Sequence, residues 1–462
     1  MDKYLKCTTD KNPLSYRCGE KMIFTVQARE KCQPIAYELL KWTLATDDGK
    51  KAEGIYHYDN GKPLVLETSL ERPGFARLTV NAYGRDGSEI TDLLEAGAGA
   101  EIEKLSYLDE IPEDFDAYWE KIEKAIAEHE PRLLYERELT LGVPSGFRAF
   151  DIRISAPYEG LPASAILTLP IAEGKYPLEI SYNGYSICGA AAVYKEKTIC
   201  LRVNAHGIEN DLLSVEAEEK HKELRGYGFD REENSSPETT YWRGMMIRDL
   251  VAVRYAKSLP AWDGKGLTVW GGSQGALQAT TVAAHDKDVT YLLINVPWFC
   301  NLKAEAHGYM GGWRPKPDEG LRYFDTIAQA TRVCCPVEIN LRLGDYICPP
   351  STTVALYNSF RTVKAMNAMQ AGTHSYIPHE QNIFRLRSDP ENPTGELKLG
   401  KYRHYKGGEY EVLFIGKDSE TLEQTVVYRS LSGGGVWVRP KWMFEEYANI
   451  KGIPTKRFTY IG

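Results

Sequence analysis

No stretch of this chain approaches the ~18 uninterrupted apolar residues that a membrane-spanning helix needs, so none is expected. Basic charge is in short supply: 56 Lys and Arg stand against 64 Asp and Glu, for a formal net charge of −8. That balance argues against a protein that recruits phosphates through a basic surface, so no nucleic-acid partner is expected. Cysteine is sparse, with nine in 462 residues, no C-x-x-C and no Cys/His group at zinc-ligand spacing. The expectation is free thiols in a reducing compartment and no metal, with Cys200 and Cys334 packed inertly in apolar runs. The opening residues Met1-Asp2-Lys3-Tyr4-Leu5-Lys6 lack an apolar leader core, which adds to the expectation of a cytoplasmic protein. Repeats and low-complexity tracts are missing too. With 26% charged and 43% hydrophobic residues, a mainly disordered chain is excluded.

At roughly 150 residues per domain the length suggests three units, and the pattern changes twice along the chain. Up to about residue 100 apolar and polar residues alternate: Met22, Phe24, Val26 and Ala28 against Ile23, Thr25 and Gln27, then Leu78, Val80 and Ala82 against Arg77, Thr79 and Asn81. Turn signals such as Asp47-Asp48-Gly49, Asp59-Asn60-Gly61 and Arg85-Asp86-Gly87 separate these runs. Short alternating strands at this spacing predict an immunoglobulin-like β-sandwich over 1–100. Ala96-Gly97-Ala98-Gly99-Ala100 reads as a linker.

From 105 to 390 continuous apolar runs at 178–182, 198–203, 267–270, 291–296 and 337–343 are interleaved with helical periods such as 243–258. Strands without clean alternation are covered on both faces, and their alternation with helices predicts an α/β fold on a mainly parallel sheet. Beyond Pro393-Thr394-Gly395, read as a linker, short runs at 410–415, 425–430 and 435–438 with glycine-rich turns predict a small β module over 396–462, barrel-like in form.

The chemistry centres on Gly271-Gly272-Ser273-Gln274-Gly275. A bare G-x-S-x-G is a weak signal, since glycine turns with an idle serine recur by chance. Here a strand precedes it and 276–284 can form the helix that follows, the context in which a sharp turn lifts a serine hydroxyl off a sheet. A serine needs a base and an orienting carboxylate, and in α/β-hydrolases they arrive in the order Ser, Asp/Glu, His. Asp345 follows the strand 337–343 in a loop at the sheet edge; its bland reading is a cap for the helix near Ser351. Asp325, in Tyr323-Phe324-Asp325, is the weaker rival because it does not end a strand. For the base, His374 and His379 both follow the apolar run 365–371, and spacing alone leaves both open. Oxyanion donors are expected from the amide of Gln274 and, in Tyr182-Asn183-Gly184-Tyr185-Ser186, the amide of Tyr185.

Tyr241-Trp242-Arg243-Gly244, the serine elbow, Tyr323-Phe324-Asp325 and the run Gly344-Asp345-Tyr346-Ile347-Cys348-Pro349-Pro350-Ser351-Thr352 together resemble the acetyl xylan esterase / cephalosporin C deacetylase family of α/β-hydrolases, over about 105–387. Several motifs agree in order, and His379-Glu380 is similar to the family's His-Glu pair. The resemblance therefore implies a triad of Ser273, Asp345 and His379, no cofactor, and hydrolysis of small acyl esters, most of all acetyl groups on xylan-derived oligosaccharides. It allows a homo-oligomer. The family's Arg-Gly-Gln appears here as Ala205-His206-Gly207, and the segment from Pro297 to Trp313 diverges. His206, Trp298 and Trp313 are expected to line the substrate cleft. The tail, with Gly400-Lys401-Tyr402-Arg403 and Val436-Trp437-Val438, resembles a small bacterial domain of unknown function. The competing readings are a prolyl-oligopeptidase-like peptidase and a non-catalytic carbohydrate-binding protein on the same scaffold.

Overall fold

A computed structural model describes residues 3–462 except 60, 159, 161, 205, 212–213, 225–226, 393–394, 420–422 and 451. Ala205, and Pro393 and Thr394 of the expected second linker, lie outside the described residues.

The alternating N-terminal runs form eight strands: β1 (Lys3–Thr9), β2 (Met22–Glu30), β3 (Gln33–Pro34), β4 (Leu39–Thr46), β5 (Lys51–His57), β6 (Leu64–Thr68), β7 (Gly74–Tyr83) and β8 (Leu94–Ala100). One sheet runs β1-β2-β3 with β6 against β2, the other β5-β4-β7-β8. Met22, Phe24, Val26, Leu78, Val80 and Ala82 face inward and are fully buried, as their period of two requires. Ala96 to Ala100 is no linker. It is the body of β8, buried at every residue and laddered to β7; small residues signal close packing here rather than a flexible joint.

The second unit begins with helix α1 (Phe115–Glu128) and continues through β9 (Leu133–Leu139), β10 (Phe147–Ile154), β11 (Ala163–Pro170), β12 (Tyr176–Tyr182) and β13 (Ile199–Asn204). There follow α2 (Ser214–Glu223), α3 (Tyr241–Lys257), β14 (Trp262–Gly272), α4 (Gln274–His285), β15 (Tyr291–Asn295) and α5 (Thr326–Ala330). Last come β16 (Val337–Arg342), α6 (Pro350–Ser359), β17 (Lys364–Met369) and β18 (Ile383–Ser388). The ten strands share one sheet in the order β18-β17-β16-β15-β14-β12-β13-β11-β10-β9. Its middle, β13 to β17, is parallel, and β18 closes one edge antiparallel to β17. Helix α4 has no exposed face over residues 274–284, which are all buried, because it lies between the sheet, α3 and α5.

The tail forms β19 (Gly400–His404), β20 (Glu409–Lys417), β21 (Gln424–Ser430), β22 (Val436–Pro440), helix α7 (Lys441–Glu445), and β23 (Tyr447–Ile450), β24 (Ile453–Lys456) and β25 (Phe458–Tyr460). Its ladder β22-β21-β20-β19-β25 is open rather than closed on itself among the described residues. Tyr402, Val412, Val426, Tyr428, Phe444 and Phe458 form its small core. It meets the second unit along the β18 edge, where Arg385 covers the Trp442 ring at 3.9 Å and Lys456 pairs with Asp389 at 3.4 Å. A second contact, from the Thr290 hydroxyl to the Gly452 carbonyl, falls just before β15, at the end of the sheet opposite the serine elbow.

Candidate active site

Ser273 sits between the last residue of β14 and the first of α4, with φ 54° and ψ −122°. A non-glycine residue there carries strain of order 1–3 kcal/mol that the surrounding packing must hold. Two glycines make the turn achievable. A methyl on Gly271 would overlap the backbone of Gly275, and one on Gly275 would overlap the Tyr182 carbonyl at the end of β12. The Ser273 N–H donates to the Asn295 carbonyl at 2.9 Å, which ties the turn to the end of β15.

Asp345, 1% exposed, lies just beyond β16. Its Oδ1 accepts the N–H groups of Ile347 at 2.8 Å and Cys348 at 3.0 Å. It therefore orders its own loop, and the helix near Ser351 has Pro349 at its N-cap position with no side-chain cap. The other oxygen, Oδ2, accepts from Nδ1 of His374 at 2.8 Å. That bond fixes the tautomer: with the proton on Nδ1, Nε2 is free to take one. The Cys348 sulfur, a ring nitrogen of His374 and a carboxylate oxygen of Asp345 all lie within 4.8 Å of one another. Burial holds the Cys348 thiol well above its usual range, and Ser273 is near enough to oppose that shift.

His379, the expected base, is not the ring that meets Asp345. Its ring stands edge-on to Tyr4 of β1 at 5.6 Å, and Glu380 pairs with Lys6 at 3.5 Å and Arg29 at 3.2 Å. Both residues are held by the N-terminal sandwich, while His374 is the ring that meets Asp345. Arg342, at the end of β16, donates to the carbonyls of Thr373 at 2.8 Å and of His374 itself. Sequence reasoning missed Arg342 and Cys348; their only signal was adjacency to Asp345.

The loop after β12 passes directly over the elbow: a methyl on Gly184 would lie 3.9 Å from Cβ of Ser273. This sets Gly184, the residue before Tyr185, beside the serine turn. The Tyr185 ring stacks on Tyr227 at 4.2 Å and meets Trp313 edge-on at 4.6 Å. His206 and Trp298 are not cleft residues, being 1% and 2% exposed. His206 supports the Tyr185 loop from behind, bonding the Ser186 carbonyl through Nε2 at 2.9 Å and Tyr241 Oη through Nδ1 at 2.6 Å. Burial lowers its pKa to about 4, so the ring is neutral and donates to Ser186. Trp298 lies beneath Trp313, ring centres 5.3 Å apart. Trp313, 40% exposed, does reach the surface. Asp325, whose carboxyl burial raises to about 6, accepts the N–H groups of Asn301 at 3.1 Å, Leu302 at 2.9 Å and Ile327 at 2.9 Å. It orders the 297–302 loop. Cys200 is buried as expected, but Cys334 is exposed.

A parallel sheet carrying a strained serine between strand and helix, followed in order by an acid and a histidine at later strand ends, defines an α/β-hydrolase. The family model described as "Acetyl xylan esterase (AXE1)" matches residues 99–307 and 319–388. The chain belongs to the acetyl xylan esterase family and is a carboxylic ester hydrolase. It is 25% identical over 374 residues to acetyl esterase Axe7A of Xylanibacter ruminicola, covering 74% of this chain and 80% of that protein. Among solved structures, the acetyl xylan esterase from Paenibacillus sp. R4 has the same fold, with a TM-score of 0.51 and 19% identity over 60% of this chain and 94% of that one. The tail, residues 400–460, matches "Protein of unknown function (DUF1653)".

Proposed function

We propose that this chain removes acetyl groups from hydroxyls of xylan-derived oligosaccharides or similar small esters through an acyl-enzyme on Ser273. His374 takes the serine proton as Oγ attacks the carbonyl, then delivers it to the departing sugar alkoxide. Asp345 holds the imidazole in the required tautomer and stabilises the imidazolium that forms. The amides of Gln274 and Tyr185 bind the tetrahedral oxyanion, and water, deprotonated by His374, hydrolyses the acetyl-enzyme. The observation that carries this reading is the His374–Asp345 bond of 2.8 Å beside the Ser273 elbow. The choice of acetyl is supported by the family's description and by the activity for which the relative from X. ruminicola is named. The nine unpaired cysteines suit a reducing compartment, and the cytoplasm is the location proposed.

Hydrolysis of 4-nitrophenyl acetate, butyrate and octanoate beside acetylated xylo-oligosaccharides tests the proposal. Acetate should be the fastest of the three synthetic esters, and Ser273→Ala should lose ~10⁴-fold or more in kcat. Preference for octanoate, or turnover by Ser273→Ala within tenfold of wild type, overturns it.

A further inference from the structure

The family match begins at residue 99, yet the loops that carry Asp345 and His374 are held by residues before it. Strand β8 is the edge of its own sheet, and its free side is taken up by the second unit at residues 95–97 and by the sandwich's own Pro13 and Tyr16 beyond. The Gly97 N–H donates to the Gln370 carbonyl at 3.1 Å, and the Gly372 N–H to the Glu95 carbonyl at 2.7 Å. Ala96 forms an antiparallel bridge with Ala371 between them. On the other side the same three residues press against the start of the acid loop. A methyl on Gly97 would overlap the Leu343 carbonyl, and one on Gly344 would overlap the Glu95 backbone. The far end of the histidine loop is also moored to the sandwich, through Tyr4 and His379 and through Glu380 with Lys6 and Arg29.

Charge accompanies the backbone contacts. The Glu95 side chain is buried, and its Oε1 accepts from Nη2 of Arg77 on β7 at 2.7 Å. Burial pushes the Glu95 carboxyl above its usual range; Arg77 opposes that shift, and the neighbouring charge of Asp345 adds to it. Arg77 also covers the half-exposed Tyr346 ring, at 5.3 Å, next to Asp345 in sequence. The charged and titratable groups facing the Asp345–His374 pair are therefore Glu95 and Arg77 from the sandwich, Arg342 from β16, and Cys348 from the acid's own loop.

We propose that the N-terminal sandwich is a working wall of the esterase site: β8 splints the Asp345 and His374 loops to each other, and Glu95 is a positioning residue for Asp345. The proposal rests on the assignment of Ser273, His374 and Asp345 above. A strand hydrogen-bonded to one loop and packed against the other fixes the separation of acid and base, the quantity on which proton transfer depends. The Arg77–Glu95 pair keeps the ground beside Asp345 near zero net charge, so the carboxylate's field falls on His374 rather than on a neighbouring cation.

The test uses the full chain, with kcat and KM on 4-nitrophenyl acetate from pH 5 to 9 and thermal melts for every variant. Gly97→Ala should lose about tenfold or more in kcat with KM within about twofold, because the splint sets the reacting groups and not ester binding. Glu95→Gln leaves Arg77 uncompensated beside Asp345. That cation disfavours the imidazolium, so the acid limb of kcat/KM should move down by ~0.3 pH unit or more. The double variant Arg77→Met/Glu95→Gln, again without net charge, should return the limb to the wild-type position, which a merely structural role would not do. The proposal is overturned by a folded Gly97→Ala variant with wild-type kcat. Where that variant does not fold, it is overturned by a Glu95→Gln acid limb that stays in the wild-type position. Turnover that is lost in Ser273→Ala, in His374→Ala and in Asp345→Ala tests the underlying assignment separately, so failure of one is not failure of the other.

Discussion

Replacing His374 and His379 in turn by alanine separates two imidazoles five residues apart. In His374→Ala the Nδ1 bond of 2.8 Å to Asp345 disappears, and with it the general base. Asp345 keeps the N–H groups of Ile347 and Cys348, so the acid loop should stay folded and the loss should fall on chemistry. Removing a triad base costs ~10⁴–10⁶ in kcat, or ~5–8 kcal/mol of transition-state stabilisation, the oxyanion donors accounting for what remains. In His379→Ala the edge-on contact with Tyr4 is lost, and an aromatic pair of that kind contributes about 0.5–1.5 kcal/mol. The expected outcome is a kcat close to wild type and a small fall in melting temperature. The assay is kcat on 4-nitrophenyl acetate at saturating ester, with circular dichroism to confirm the fold of both variants. An inactive, folded His379→Ala beside an active His374→Ala would refute the reasoning, since it would mean that the Asp345–His374 bond is not the productive one.

Two further outcomes follow from the same geometry. His206 has a folded pKa of about 4 against an ordinary value near 6.5, so the folded state binds fewer protons than the unfolded one between these limits. Its contribution is fully present above pH ~6.5 and is lost as pH falls toward 4, by roughly 3 kcal/mol in order of magnitude. Urea unfolding between pH 7 and 4.5 should therefore show a shallower acid loss in His206→Gln than in wild type, and equal slopes would count against a buried neutral imidazole. Deleting 396–462 should leave kcat on 4-nitrophenyl acetate within about threefold of wild type while lowering the melting temperature, because the tail docks on the β18 edge and near Thr290 rather than at the elbow. A folded truncation with most of its kcat gone would mean that the tail helps to build the site.

Local pattern was enough to locate most of this protein. Period-two runs placed the inward residues of β2 and β7 correctly, and uninterrupted apolar runs placed the parallel strands, because burial on one or two faces writes itself directly into hydrophobicity. The elbow was legible for a similar reason: only small residues fit where Gly271 and Gly275 meet backbone. Where a residue acts through a distant partner, the sequence carried little signal. Ala96-Gly97-Ala98-Gly99-Ala100 has the composition of a linker and became a fully buried strand, because close packing and flexibility call on the same small residues. His206 and Trp298 have the chemistry of cleft residues, but neighbouring aromatic rings close over them. The base was the sharpest case. Chain order narrowed it to two histidines, and family resemblance chose the one whose ring packs on Tyr4, far earlier in the chain. Order along the chain thus determined the fold, the strained turn at Ser273 and the loop position of Asp345, since each depends on its immediate neighbours. Which imidazole reaches Asp345 was decided only when the sandwich took hold of one end of that loop and Arg342 of the other, a contact between surfaces that no local pattern encodes.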